Sequence, residues 1–158
     1  MATHAVPGTG LELILNAAEG VLQIVVTEDE AILCAQEWYR SERATEILAP
    51  ALAELATSLG IRWSDLRRIA CVRGPGSFTG IRIGVSAAKG LAWVEDKDCA
   101  PCSTLESMAW PLAHMEGAVI VCAMDARRKQ VYNALFLAKN GQLERLCQDR
   151  AISLVQLG

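Results

Sequence analysis

Three stretches combine residue types and spacing that can do chemistry. The first is Arg73-Gly74-Pro75-Gly76-Ser77-Phe78-Thr79-Gly80-Ile81-Arg82-Ile83-Gly84. Its glycines permit positive φ and close backbone approach. Ser77 or Thr79 can cap the helix that follows. Exposed N–H groups and the helix dipole at such a turn can hold a phosphate. The string is neither a Walker A loop, because no Lys-Ser or Lys-Thr follows the last glycine, nor a GxGxxG fingerprint. Physics alone leaves anion binding and a structural turn both open.

The second stretch is Cys99-Ala100-Pro101-Cys102, a lone CxxC that is either half a zinc site or a redox pair. Zinc needs two further ligands, and the sequence holds no second CxxC and no paired His. A redox pair needs the strand, motif and long helix of a thioredoxin setting. Here acidic Glu95–Asp98 precede the motif and Ser103, a helix cap, follows it. A structural role is expected, with Cys behaving as a small buried hydrophobe at most of its six positions. The third stretch is Arg127-Arg128-Lys129. Three cations in a turn read as solvated surface, with one Arg free to pair within the fold. The two histidines, His4 and His114, are isolated, and His114 near a helix end reads as structural. No nucleophile–base pair is evident.

The elements that position these groups follow from periodicity. Residues 1–10 read as a loose tail. Leu11–Leu15, Val21–Thr27 and Ala31–Gln36 are strand-like, joined by links short enough for hairpins (16–20 and 28–30). A helix is expected over 43–59, opened by Ser41 or Thr45 and closed by Gly60. A strand over 69–73, the glycine-rich turn, a helix over 81–93, a brief strand over 99–102 and a helix from Ser103 to His114 come next. Ser103-Thr104-Leu105-Glu106 has the capping-box pattern. Residues 118–124, 130–137 and 143–148 are again strand-like. Three hairpin strands that then alternate with helices make a mixed sheet with helical cover. Ala123-Met124-Asp125-Ala126 repeats the layout of Ile14-Leu15-Asn16-Ala17, which suggests a second, related lobe that begins near Ala118 and is cut short.

Both long helices carry a second small-residue face. In the first, Ile47, Leu48, Ala51, Leu52, Leu55 and Leu59 form the face that covers a sheet, and Ala49, Ala53 and Ala56 form an arc beside it. In the second, Gly80, Gly84, Ala88 and Ala92 recur at every fourth position. Such a stripe packs on the chain's own sheet or meets a helix of another chain, and both readings stay open.

The 158 residues are 52% hydrophobic and 21% charged, which excludes a disordered chain. No apolar run reaches the roughly 18 residues of a membrane span. Residues 1–10 lack the basic start and apolar core of a signal peptide. A cytoplasmic protein with reduced thiols is expected. A net charge of −3 argues against a protein whose main task is to grip nucleic acid.

The string Gly74 to Gly84, continued by Ala88-Lys89-Gly90-Leu91-Ala92, closely resembles the signature of the bacterial TsaB (YeaZ) family. Ser103 to Ala109 resembles that family's serine–leucine–glutamate helix start. Asp125-Ala126-Arg127-Arg128 with Val131-Tyr132 resembles its Asp-Ala-Arg strand end. The resemblance spans about residues 11–146. It implies an α/β, actin-like, sugar-kinase-like fold of two ribonuclease-H-like lobes. Residues 11–114 would form the first lobe and 118–158 the opening strands of an incomplete second.

The resemblance also implies a non-catalytic subunit in the making of threonylcarbamoyladenosine in tRNA. Its partners would be a TsaD-like catalytic subunit and a TsaE-like ATPase, with a homodimer when alone and tRNA met only indirectly. ATP and Mg²⁺ would be used by the partners, with no cofactor or metal bound by this chain alone. Residues 74–80 would be the motif loop and a possible nucleotide contact. Ala49, Ala53, Ala56, Arg82, Gly84, Val85, Ala88, Lys89 and Ala92 would form the partner interface. An actin-like ATPase or M22-type peptidase is the alternative. Asn16-Ala17 stands where the family usually has Asp-Thr, which counts against ATP hydrolysis because that Asp would hold Mg²⁺ and phosphate.

Overall fold

The computed structural model describes residues 10–29, 31–39 and 44–157. The tail before Gly10, His4, the Ser41 cap and the start of the first helix at Arg43 lie outside the described residues. The chain divides into two units, residues 1–72 with 77–101, and residues 73–76 with 102–158.

The first unit is built on a mixed sheet. Its strands are β1 (Leu11–Asn16), β2 (Val21–Glu28), β3 (Ala31–Tyr39), β4 (Leu66–Val72) and β5 (Asp98–Cys102), in the order β3-β2-β1-β4-β5. The hairpin strands β1, β2 and β3 pair antiparallel, and β1 pairs with β4 in parallel. Alternation sets the faces: Leu13 and Leu15 of β1 and Leu22, Ile24 and Val26 of β2 are buried on one side. Helix α1 (Ala44–Leu59) buries Ala44, Leu48, Ala51 and Leu55, at the spacing of a single helical face. Helix α2 (Phe78–Val94) buries Gly80, Gly84, Ala88 and Ala92. Apart from the two glycines, these residues join one apolar cluster with the inner face of the sheet. The expected fold class, an α/β ribonuclease-H-like lobe on a mixed sheet, is the one found.

The second unit holds an antiparallel sheet of β6 (Val119–Asp125), β7 (Gln130–Lys139), β8 (Gln142–Arg145) and β9 (Arg150–Ser153). Helix α3 (Thr104–Ala109) lies against it. Leu105, Ala109 and Ala113 bury with Ile120, Cys122, Ala134 and Phe136. The sequence reading placed residues 102–114 in the first lobe. Their apolar side chains are instead spent on this second core, so they group with the second unit.

Three further boundaries differ from expectation. Helix α2 starts at Phe78 rather than Ile81, because Ser77 accepts a hydrogen bond from the Gly80 N–H and brings residues 78–80 into the first turn. Helix α3 ends at Ala109, and a 3₁₀ turn over Trp110–Leu112 follows instead of helix to His114. Pro111 lacks the N–H that the next α-turn would need. The strand expected over 143–148 ends at Arg145, and a further strand, β9, follows where none is expected. Strands β8 and β9 pair with successive stretches of the same edge of β7, and between them the N–H groups of Leu146 and Cys147 both point at the Leu135 carbonyl. This irregularity turns residues 146–149 out of the ladder.

The tightest contact in the first unit is between the β1–β2 turn and the start of α2. A Cβ added at Gly80 would sit 1.8 Å from the Ala17 carbonyl oxygen. We expect Gly80→Ala to cost about 2 kcal/mol or more in urea unfolding, the scale of an overpacked core. Unchanged stability would mean that the turn and the helix are free to separate.

Candidate functional site

The glycine-rich segment divides between the two units after Gly76. Residues 73–76 are strapped to the start of α3. The Arg73 N–H donates to the Cys102 carbonyl (2.9 Å), the Thr104 N–H donates to the Gly74 carbonyl (2.9 Å), and the Thr104 hydroxyl donates to the Pro75 carbonyl (2.7 Å). Gly74 stands at φ +102°, a value that only glycine adopts without strain. The Gly74–Pro75 peptide is cis.

The other half of the motif opens α2. The Ser77 N–H donates to the Ala18 carbonyl (2.6 Å), and the Ser77 hydroxyl caps Gly80. The Ala17 carbonyl lies against Gly80. The β1–β2 turn therefore packs against the first turn of α2, and the Ser77 and Gly80 N–H groups are both spent within the chain. Asn16 is spent on the same turn. Its Oδ1 accepts from the Ala18 N–H (2.9 Å) and its Nδ2 donates to Gln23 Oε1 (2.8 Å). An amide serves both bonds, since it carries a donor and an acceptor. Of the two readings open for residues 74–80, these contacts favour the structural turn, with the helix start tied down by the chain's own turn.

The expected partner-interface residues separate into two groups. Gly84, Ala88 and Ala92 are buried in the core of the first unit, where Gly84 faces the Ala17 side chain. Assigning them to a partner is corrected: their small size lets α2 sit close on its own sheet. Ala49, Ala53, Arg82 and Lys89 are exposed, and Ala56 and Val85 are half-buried. Two large residues stand on the exposed side of α2: Phe78, which the sequence assigns to the motif loop and not to the interface, and Trp93, which it assigns to no site. Phe78 is 73% exposed and Trp93 is 87% exposed. Phe78, Arg82, Lys89 and Trp93 fall on one stripe at spacings of four, seven and four. The Arg82 guanidinium lies 5.3 Å from the centroid of the Phe78 ring, a cation–π contact. Plotting residues 78–94 at 100° per residue would have revealed the stripe, because it lies opposite the glycine–alanine one.

The remaining candidates do not converge. Cys99 and Cys102 stand three steps apart on β5, a rise of about 10 Å. That exceeds the roughly 7 Å limit for a disulfide. Burial pushes the Cys102 thiol up, although the Ser107 hydroxyl works against this, so it is a poor thiolate. Arg127, Arg128 and Lys129 are exposed in the β6–β7 turn, with the Arg127 N–H held by Asp125 Oδ1 (2.7 Å). Elsewhere in this unit Arg145 reaches Glu106 and Asp149 and lies over the Phe136 ring. His114 Nδ1 meets the Pro111 carbonyl at 2.9 Å, the local contact expected of a structural histidine. Among the described residues no helix is long and apolar enough to cross a membrane.

Residues 40–157 match the family model of TsaD, tRNA N6-adenosine threonylcarbamoyltransferase. The chain is 34% identical over 142 residues to the tRNA threonylcarbamoyladenosine biosynthesis protein TsaB of Bacillus subtilis, covering 90% of this chain and 62% of that protein. It is 33% identical over 121 residues to the TsaB of Escherichia coli, covering 76% of this chain and 52% of that protein. The chain thus spans between half and two thirds of the length of these relatives. Among solved structures, YeaZ from Pseudomonas aeruginosa superposes with a TM-score of 0.79 at 22% identity, over 90% of this chain and 67% of that one.

The tied-down helix start generates a test. Asn16→Asp keeps the acceptor for the Ala18 N–H, so we expect it to fold. We expect phosphate release from ATP and Mg²⁺ by the variant to stay at the buffer background. Sustained release above background would show that the turn can admit a nucleotide.

Proposed function

We propose, because the chain belongs to the TsaB (YeaZ) family within the wider TsaD family, that it acts in the biosynthesis of threonylcarbamoyladenosine in tRNA as a non-catalytic subunit. It binds a TsaD-like transferase and, through that, a TsaE-like ATPase. ATP and Mg²⁺ chemistry belongs to those partners, and tRNA is met through the assembly. The pathway follows from the family. The scaffold role rests on one observation, the exposed stripe Phe78–Arg82–Lys89–Trp93 on α2.

The physical reasoning starts from what α2 has left to offer. Its small residues are committed to its own sheet, so binding energy must come from the opposite side. Two aromatic rings there stand more than 70% exposed, with two cations between them. Aromatic and arginine side chains are the anchors that carry most of the energy of protein interfaces. Exposed Ala49 and Ala53 on α1 add surface that a partner helix can approach closely. The motif residues contribute indirectly. Ser77 caps α2, and Gly80 and Gly84 let the helix lie flat on the β1–β2 turn, which fixes the direction in which the stripe points. The same proposal has the stripe meet its own copy across a two-fold axis when the transferase is absent.

Trp93→Glu and Lys89→Glu test this reading. Both side chains are exposed, so the melting temperature of the chain should hold. Affinity for the TsaD-like transferase, measured by calorimetry or co-purification, should fall at least tenfold, about 1.4 kcal/mol. Threonylcarbamoyladenosine formation in the reconstituted reaction should fall with it. Wild-type affinity in both variants would remove the stripe from the interface.

A further inference from the structure

We infer that the second unit holds a binding pocket for a phosphate monoester, built on Arg73 and Arg150 and independent of the partner-binding stripe. The pocket has a volume of about 380 Å³, and its lining includes Arg73, Pro75, Tyr132, Asp149 and Arg150. That volume lies at the lower end of the range for small-molecule sites. It exceeds what an inorganic phosphate fills and leaves room for an attached organic group.

The charge in the pocket is settled by its neighbours. Asp149, the carboxylate in the lining, is fully used. Its Oδ1 accepts from Arg145 (2.6 Å) and its Oδ2 accepts from the buried Ser103 hydroxyl (2.7 Å). Arg145 is shared between Asp149 and Glu106 (2.7 Å), so it offsets the Asp149 charge only in part. The two remaining guanidinium groups, Arg73 and Arg150, form no ion pair among the described residues. Two guanidinium groups with no ion pair of their own present several N–H donors to a phosphoryl group, and a monoester, with three terminal oxygens, accepts them better than a diester with two.

Arg150 is also held through its side chain, and Arg73 through its backbone. Arg150 donates from Nε and Nη2 to Asn133 Oδ1 (3.3 and 3.1 Å). Asn133 is only 1% exposed, and its own amide donates to the Cys122 carbonyl (3.0 Å). A buried amide thus fixes one edge of the Arg150 guanidinium and leaves the other for a ligand. The backbone of Arg73 is fixed by the straps to Cys102 and Thr104. The break between β8 and β9 brings Asp149 and Arg150 to this position. Among the described residues the second unit carries seven Lys/Arg against five Asp/Glu, in a chain whose net charge is −3. Its local field therefore favours anions where the chain as a whole does not.

The test is calorimetric titration of the full chain with AMP, inorganic phosphate and adenosine at low ionic strength, where such pairs are least screened. AMP should bind and adenosine should not. Arg73→Ala and Arg150→Ala should each weaken AMP binding about tenfold, and Arg150→Lys should weaken it less. Arg73 makes no side-chain hydrogen bond to the core among the described residues, so Arg73→Ala separates ligand loss from misfolding, and the melting temperature of each variant checks this. Inorganic phosphate binding as tightly as AMP would identify free phosphate as the ligand, and tighter AMP would identify an organic ester. Lack of binding by both AMP and phosphate at millimolar concentration, or AMP binding unchanged in both alanine variants, would overturn the proposal.

Discussion

The structure of the first unit depends on one close approach of main chain to main chain. The β1–β2 turn presses its Ala17 carbonyl into the space where Gly80 has no side chain, and the Ala18 carbonyl takes the Ser77 N–H. Neither contact can be relaxed by choosing another rotamer, because neither partner atom belongs to a side chain. The turn is itself fixed by Asn16, whose amide bridges Ala18 and Gln23. From this contact follow the seating of α2 on the sheet, the burial of Gly84, Ala88 and Ala92, and the exposure of the opposite stripe. A segment with the outward features of a phosphate loop becomes a structural joint.

The same reasoning separates what a small residue does from where it occurs. Every fourth residue of α2 is Gly or Ala, which fits an interface with a foreign helix or with the chain's own sheet. Close packing is worth more where it repeats along a rigid surface that is always present, and the sheet supplies that surface. On the proposed reading the partner is then met by the residues left over, which are larger, aromatic and cationic. One side of α2 is a core element, and the other is free for recognition.

Much of this was legible in the sequence. Alternation located the strands, and Ser77 and Ser103 announced two helix starts, because caps act through neighbours three residues away. The capping box at Ser103 proved half-formed, since Glu106 turns to Arg145 instead of back to its own helix start. Periodicity marked the faces of α2 but not their neighbours, because a helical wheel records direction and not what lies there. Phe78 was counted with the motif loop and Trp93 with no site, because periodicity was followed through the small residues of α2 alone. The break between β8 and β9 was not legible, since it depends on Asp149 finding Ser103 and Arg145 at a distance. The assignment of residues 102–114 was missed for a similar reason: α3 is amphipathic on either lobe, and only its burial against Ile120, Ala134 and Phe136 decides.

The broken strand has a consequence for solubility. Strands β8 and β9 share one edge of β7, and each is only four residues long. A continuous strand there would offer an unbroken row of N–H and C=O groups to any extended segment of another chain. Two short pieces separated by an out-turned bend, with charged Arg145 and Arg150 on either side of the gap, make a poor template. The bend that aims Asp149 and Arg150 thus also guards the sheet against edge-to-edge aggregation.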